Sequence, residues 1–375
     1  MKTVLDTVVI GGGAMGSAAA WALSRRGRHV TLVEQFGPGH KIGASHGTTR
    51  NLNPGYHRPE YVAMLAEGLA LWDELEQESG ETLLARTGIV NHGPDPRLPY
   101  TAEALTHAGI RAEVLTPAEA GERWRGIRFD QLALYMPDGG QLNPEAALPA
   151  FQRLAAARGA EIRHHTKVVD FKVMDDGVRL ALESASGTEV ATAAQVVVTA
   201  GGWTEKLLGG AGAGLQIPRL RVTQEQPAHF RPVDADAVWP GFNHYPGGGA
   251  DYRNWYSPVY GMQTPGEGIK AGWHGVGPLV DPDRRTFQPE PVQLAALQDY
   301  ARTWLPGVDA DSFEAISCTY TTTPDEDFIL DRIGPVVIGA GFSGHGFKFT
   351  PVIGRILADL ATDTRPAPEI FRASR

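Results

Sequence analysis

The chain predicts an α/β fold in two interleaved parts: a parallel, doubly wound sheet assembled from separated stretches, and an inserted α+β part on a mostly antiparallel sheet. Three observations carry this. The β-branched run Thr7-Val8-Val9-Ile10 passes directly into Gly11-x-Gly13-x-x-Gly16. Two later apolar runs, Gln195–Gly202 and Pro335–Gly339, repeat the step from buried strand to glycine. Residues from about 216 to 317 instead alternate aromatic and polar side chains between many Gly and Pro breaks, the pattern of an antiparallel sheet.

The first element needs its residue types at that spacing. Thr7–Ile10 reads as a strand buried on both faces. Gly11 permits a tight turn, Gly13 lets backbone approach a pyrophosphate, and Gly16 lets helix and strand pack closely. The helix that follows, through Ala18–Leu23, stops near Gly27. A second strand, Val30–Val33, ends in Glu34, where a carboxylate accepts bonds from ribose hydroxyls and repels a 2′-phosphate. Strand, turn, helix, strand and terminal acid in this order predict dinucleotide binding. They do not separate FAD from NAD.

Further along, residues 60–85 carry apolar side chains at helical spacing, and Thr87–Asn91 reads as a strand. Asn143 is a candidate N-cap for a helix running through Leu154. Glu161–His164 and Lys167–Phe171 read as short strands, with turns at Asp175-Asp176-Gly177 and Ser186-Gly187. The glycine run Gly341–Gly346 leads into a last helix, Val352–Leu360.

Composition excludes several classes. The 375 residues are 42% hydrophobic and 21% charged, with a net charge of −9 spread along the chain. No basic block suits nucleic acid or an anionic membrane surface. Gly11-Gly12-Gly13 interrupts the N-terminal apolar run too early for a signal peptide, and no stretch reaches a membrane span. The single cysteine, Cys318, forms no internal disulfide and suits a reducing cytoplasm. His40, His57, His164 and His165 lack metal-ligand spacing, so no metal is expected.

Four motifs together carry a resemblance: Gly11–Gly16; Ser45-His46-Gly47-Thr48-Thr49-Arg50; Lys270-x-Gly-x-His274; and Cys318-Thr319-Tyr320 with Gly341-Phe342-Ser343-Gly344-His345-Gly346-Phe347-Lys348. From the first strand to about residue 362, the chain resembles the monomeric sarcosine oxidase and N-methyltryptophan oxidase family of FAD-dependent amine oxidases. The resemblance implies a Rossmann-type FAD-binding domain of the glutathione-reductase kind with an inserted substrate domain. It divides the chain into FAD-binding segments 1–86, 143–216 and 318–375 and catalytic segments 87–142 and 217–317.

By the same resemblance, the cofactor lies against Gly11, Gly13, Ala14, Met15, Gly16, Glu34 and Gln35 at its nucleotide end. Val168, Ala200, Gly201 and Trp203 flank it further on. Ser45, His46, Thr49, Arg50, Gly344, Gly346, Phe347 and Lys348 surround the ring, and Cys318 forms a thioether to it. Attachment needs a thiolate, which nearby positive charge favours, and His46 and Arg50 match the family's cations there. Lys270 matches the lysine that promotes reaction with oxygen, since a fixed cation stabilises developing superoxide. Lys270 and His274, four apart on a strand, share one side. Lys348 matches the partner of a substrate carboxylate, and Tyr260 and Tyr320 the tyrosines that shape the pocket.

One departure stands out. Where the family reads Thr-Arg-x-x-Arg, this chain has Thr49-Arg50-Asn51-Leu52-Asn53, so half of the expected carboxylate clamp is missing. The expectation is a cytoplasmic, monomeric oxidase of secondary amines with covalent FAD, a small-molecule amine and O2 as partners, and hydrogen peroxide as a product. The rival is a flavin dehydrogenase that passes electrons to another acceptor.

Overall fold

The computed structural model describes residues 3–209 and 214–375. Its first eight-stranded sheet has a parallel centre. There Glu161–Arg163, Val30–Val33, Thr3–Ile10, Gly187–Val198 and Val336–Ala340 lie side by side. Val8, Val9, Val196, Val197, Val337 and Ile338 are all fully buried, which explains the continuous apolar runs. The long strand Gly187–Val198 also pairs antiparallel with Gly177–Ser184, which in turn pairs with Lys167–Met174. The turns at Asp175-Asp176 and Ser186 fall where the sequence predicts them.

The helix Ala14–Ser24 is buried along its entire length. It sits between the sheet and the last helix, Thr350–Thr362. Close approach is achieved with glycine. A Cβ at Gly16 would lie 1.9 Å from the Gly11 carbonyl oxygen, and one at Gly354 would lie 2.6 Å from the Ala18 backbone.

The second eight-stranded sheet has the order Val308–Ala315, Ala228–Pro232, Gly268–Trp273, Val259–Thr264, Gly241–His244, Ile89–His92, Ala133–Met136 and Glu113–Leu115. Every neighbouring pair is antiparallel except Gly241–His244 with Ile89–His92. Its own aromatic core includes Trp239, Trp273, Tyr300 and Trp304. A two-stranded ribbon, Arg221–Glu225 with Cys318–Thr322, sets Glu225 opposite Cys318.

Boundaries differ from the sequence expectations in instructive ways. The helix expected over 60–85 spans Pro59–Ser79, because Gly80 adopts a left-handed conformation (φ 72°) and ends it. Asn143 caps as expected, accepting from the Ala146 N–H at 3.1 Å, but its helix continues to Ala157. The final helix begins at Thr350 after a 3₁₀ turn, Phe347–Phe349. Among the described residues no helix is long and apolar enough to cross a membrane.

Candidate active site

A cavity of about 920 Å³ runs along the C-terminal ends of the parallel strands, where ligands bind in open α/β sheets. Gly11, Gly13, Ala14, Met15, Glu34, Gln35, Ser45, Val168, Ala200, Gly201 and Trp203 all line it. Gly16 does not, and its contribution is the helix–strand contact described above. The Ser45 hydroxyl accepts from the Ala14 N–H at 3.0 Å and so closes the first turn of the helix at which a pyrophosphate would sit. Glu34 is buried, and its carboxylate accepts from the Gly12 N–H at 2.7 Å and the Phe36 N–H at 2.9 Å. Besides any ribose contact, this acid braces the glycine turn itself.

A second cavity of about 840 Å³ adjoins the first beneath the antiparallel sheet. Its wall includes Lys270, His274, Tyr260 and Lys348, and also Thr49, which does not reach the first cavity. Seven residues line both: His46, Arg50, Glu145, Cys318, Tyr320, Gly344 and Phe347. The two spaces therefore meet beside the thiol. Cys318 is half-buried, with its Sγ 4.0 Å from the Arg50 guanidinium. Arg50 is held in place by the carbonyls of Thr49, Ala44 and His46.

His46 departs from its expected charge. Its ring nitrogens face the Gly43 carbonyl at 2.7 Å and the Ser317 carbonyl at 3.1 Å, which favours a proton on each. Burial outweighs them, with Arg50 adding repulsion, and holds the imidazole down to about 4. At neutral pH His46 is uncharged, and Arg50 is the cation beside the thiol.

Lys270 lies in mid-strand, 5% exposed, donating to the Thr49 carbonyl at 3.2 Å and its hydroxyl at 3.3 Å. Burial first, then the Arg50 charge, lowers its ammonium to about 7. His229 is its cross-strand partner. His274 lies one residue beyond the strand end, with Nδ1 3.3 Å from the Tyr320 hydroxyl. Burial and the Lys348 charge keep it neutral by lowering it to about 4. Lys270 and His274 thus face one cavity, as their spacing predicts.

Lys348 is oriented by residues that the sequence reading missed. Its Nζ donates to the Tyr56 hydroxyl at 3.1 Å and the His345 carbonyl at 2.8 Å. Tyr56 meets His345 Nδ1 at 3.0 Å, while His345 Nε2 meets the Glu326 carbonyl at 3.2 Å. Burial holds His345 at about 3, so it is neutral. Its Nε2–H then donates to the carbonyl, its Nδ1 accepts from Tyr56, and the phenol oxygen accepts from Lys348. Burial lowers the Lys348 ammonium to about 7. Nothing at positions 56 and 345 alone signals this pairing, since 289 residues separate them.

The Gly341–Gly346 loop packs against Tyr320. A Cβ at Gly344 (φ +75°) would strike the Tyr320 ring at 2.1 Å, so only glycine lets the backbone approach there. Among the described residues no group of three His, Cys, Asp or Glu side chains could hold a metal ion.

The model of the FAD dependent oxidoreductase family matches residues 6–360. The chain belongs to that family. Among relatives, it is 34% identical to a monomeric sarcosine oxidase of a Bacillus species, over 99% of this chain and 96% of that one. It is 30% identical to an N-methyl-L-tryptophan oxidase of Citrobacter koseri, over 99% and 98% respectively. Among solved structures, NikD, an unusual amino acid oxidase essential for nikkomycin biosynthesis, superposes with a TM-score of 0.83 at 26% identity, covering 99% of this chain and 98% of that one. An L-proline dehydrogenase from P. horikoshii shares the fold, at a TM-score of 0.83 and 23% identity, over 100% of this chain and 98% of that one. Family membership makes the protein an FAD-dependent amine oxidoreductase, and the glycine turn, buried Glu34 and elongated cavity suit such a dinucleotide.

Proposed function

We propose that the protein is an oxygen-using oxidase of secondary amines, N-methyl or cyclic, with FAD tethered through Cys318. The observation that carries this is the meeting of two cavities at Cys318, Arg50 and Tyr320, with the buried Lys270 beside them. FAD held along Gly11–Met15, Glu34 and Cys318 would supply a hydride acceptor for the carbon next to the amine nitrogen and a route for both electrons to dioxygen; the products would be an imine, which hydrolyses, and hydrogen peroxide.

This chain's own residues do the rest. Arg50 places a fixed positive charge 4.0 Å from Cys318 Sγ, where the tether would form. Tyr260, Tyr320 and the neutral His274 enclose the amine and exclude water. Lys348, held by Tyr56 and His345, meets the substrate's polar end. No carboxylate in the cavity is needed as a strong base, because the amine reacts with its nitrogen deprotonated. Lys270, its ammonium lowered to about 7, carries its charge towards the acid side of neutrality, and that charge favours electron transfer where oxygen is reduced. The reading extends to a monomer working in the cytoplasm, which suits a chain with one cysteine.

Acid precipitation tests the tether. Yellow colour should stay in the pellet of the wild-type protein and move to the supernatant for Cys318→Ala. Peroxide release from secondary amines under air tests the oxidase. Turnover only with an artificial electron acceptor would favour the dehydrogenase instead.

A further inference from the structure

Asn53 is not an idle replacement for an arginine. Its Oδ1 accepts from the Gly55 backbone N–H at 2.9 Å and from Asn91 Nδ2 at 3.4 Å. Asn91 Oδ1 accepts in turn from Asn243 Nδ2 at 2.9 Å. The direction of the row is fixed at one end, because a backbone N–H can only donate. Asn53 must turn its oxygen to Gly55, so Asn91 presents its NH2 to Asn53 and its oxygen to Asn243. Sheet register places the row in the wall of the second cavity: Asn91 is opposite Asn243, and Asn243 is opposite Tyr260.

Among the described residues the bonds within the row leave capacity at both ends: the Asn53 NH2, a donor, and at Asn243 the Oδ1 acceptor beside its second N–H. A carboxylate offers acceptors only, so it would leave Asn243 Oδ1 without a donor. A primary carboxamide offers one acceptor and one donor, which matches both ends. The guanidiniums nearby are committed elsewhere. Arg58 is paired with Asp327 at 2.8 Å and Arg97 with Asp95 at 2.8 Å. Lys41 and His57 are exposed. Buried Lys348 already donates to the Tyr56 hydroxyl and the His345 carbonyl, and Arg50 to the carbonyls of Thr49, Ala44 and His46.

We propose that the substrate is a secondary amine bearing a neutral carboxamide-type group in place of a free α-carboxylate, read by the Asn53–Asn91–Asn243 row. The proposal rests on the amine-oxidase reading and narrows it.

The test is binding, measured by calorimetry on the FAD-loaded protein. Methoxyacetamide and methoxyacetate serve as probes, since an ether oxygen in place of the amine nitrogen prevents oxidation. Wild type should bind the amide at least fivefold more tightly than the acid. Asn53→Arg should reverse the order, and Asn243→Leu, checked for an unchanged melting temperature, should abolish the preference. Equal affinities, tighter binding of the acid, no binding of the amide, or a ratio that neither variant alters would overturn the proposal. A preserved amide preference with no secondary amine able to bleach the flavin anaerobically would sink the oxidase reading and leave the recognition row intact.

Discussion

At the residue scale the site is governed by buried cations with few partners. Lys270 ordinarily titrates near 10.5 and is held at about 7. Between those values the unfolded chain binds a proton that the folded chain does not, so wild-type stability rises with pH across that window. Lys270→Met removes this slope. We expect the variant to melt a few degrees above wild type at pH 7 and the gap to close towards pH 10, read by calorimetry across pH. In stopped-flow experiments the same variant should react with oxygen at least about 100-fold more slowly, since a fixed charge of this kind contributes several kcal/mol. Anaerobic reduction by the amine should continue; a normal oxygen rate would remove Lys270 from the oxidative step. Tyr56→Phe deletes the acceptor for Lys348 Nζ and the donor to His345. A lost hydrogen bond of about 1 kcal/mol corresponds to a KM raised roughly fivefold with kcat little changed, which steady-state kinetics will show. Lys270, His274, Tyr320 and Lys348 were legible as motif residues, and Tyr260 only through the family resemblance. Tyr56 and Asn243 were not, because each acts through partners distant in the chain.

At the element scale, glycine spacing decides whether the nucleotide half assembles. Gly16→Ala would push a methyl to within 1.9 Å of a backbone oxygen that cannot move without breaking the strand–helix turn. Gly121, in the helix Pro117–Arg123, has nothing within 4 Å of a built Cβ. Gly16→Ala should therefore give protein that is insoluble or free of flavin. Gly121→Ala should be fully loaded and more stable by about 0.5–1 kcal/mol. Flavin absorbance per protein and urea midpoints separate the two. Periodicity located the helix after residue 59 but overran its end by six residues. Gly80 was the available signal, and only its left-handed conformation makes it a stop. Strands whose neighbours are buried on both sides, such as Val336–Ala340, were legible because their apolar runs are unbroken.

At the scale of the whole molecule, the cofactor cavity draws its wall from residues as far apart as Ile10 and Phe347. A ligand that binds there stabilises only the assembled chain, so its effect follows mass action. Cys318→Ala, stripped of FAD and titrated with it, should show a melting temperature that climbs with the logarithm of FAD concentration. At 100 times the dissociation constant the gain is about 2.7 kcal/mol. Wild type carrying the tether should not respond to added FAD, and a flat curve for the variant would mean that FAD does not bind this cavity.

The amino-acid sequence by itself determined the parallel strands, the glycine turn and the alternation of the second sheet, because these depend on the size and hydrophobicity of neighbouring residues. It also singled out Cys318, Lys270 and the missing arginine at Asn53. Tertiary structure alone decided which charges survive burial, leaving His46 neutral and Arg50 the cation beside the thiol. It alone joined Asn53, Asn91 and Asn243 into one row. Desolvation and hydrogen-bond direction depend on what the folded chain brings within a few ångströms, and linear order carries no record of that.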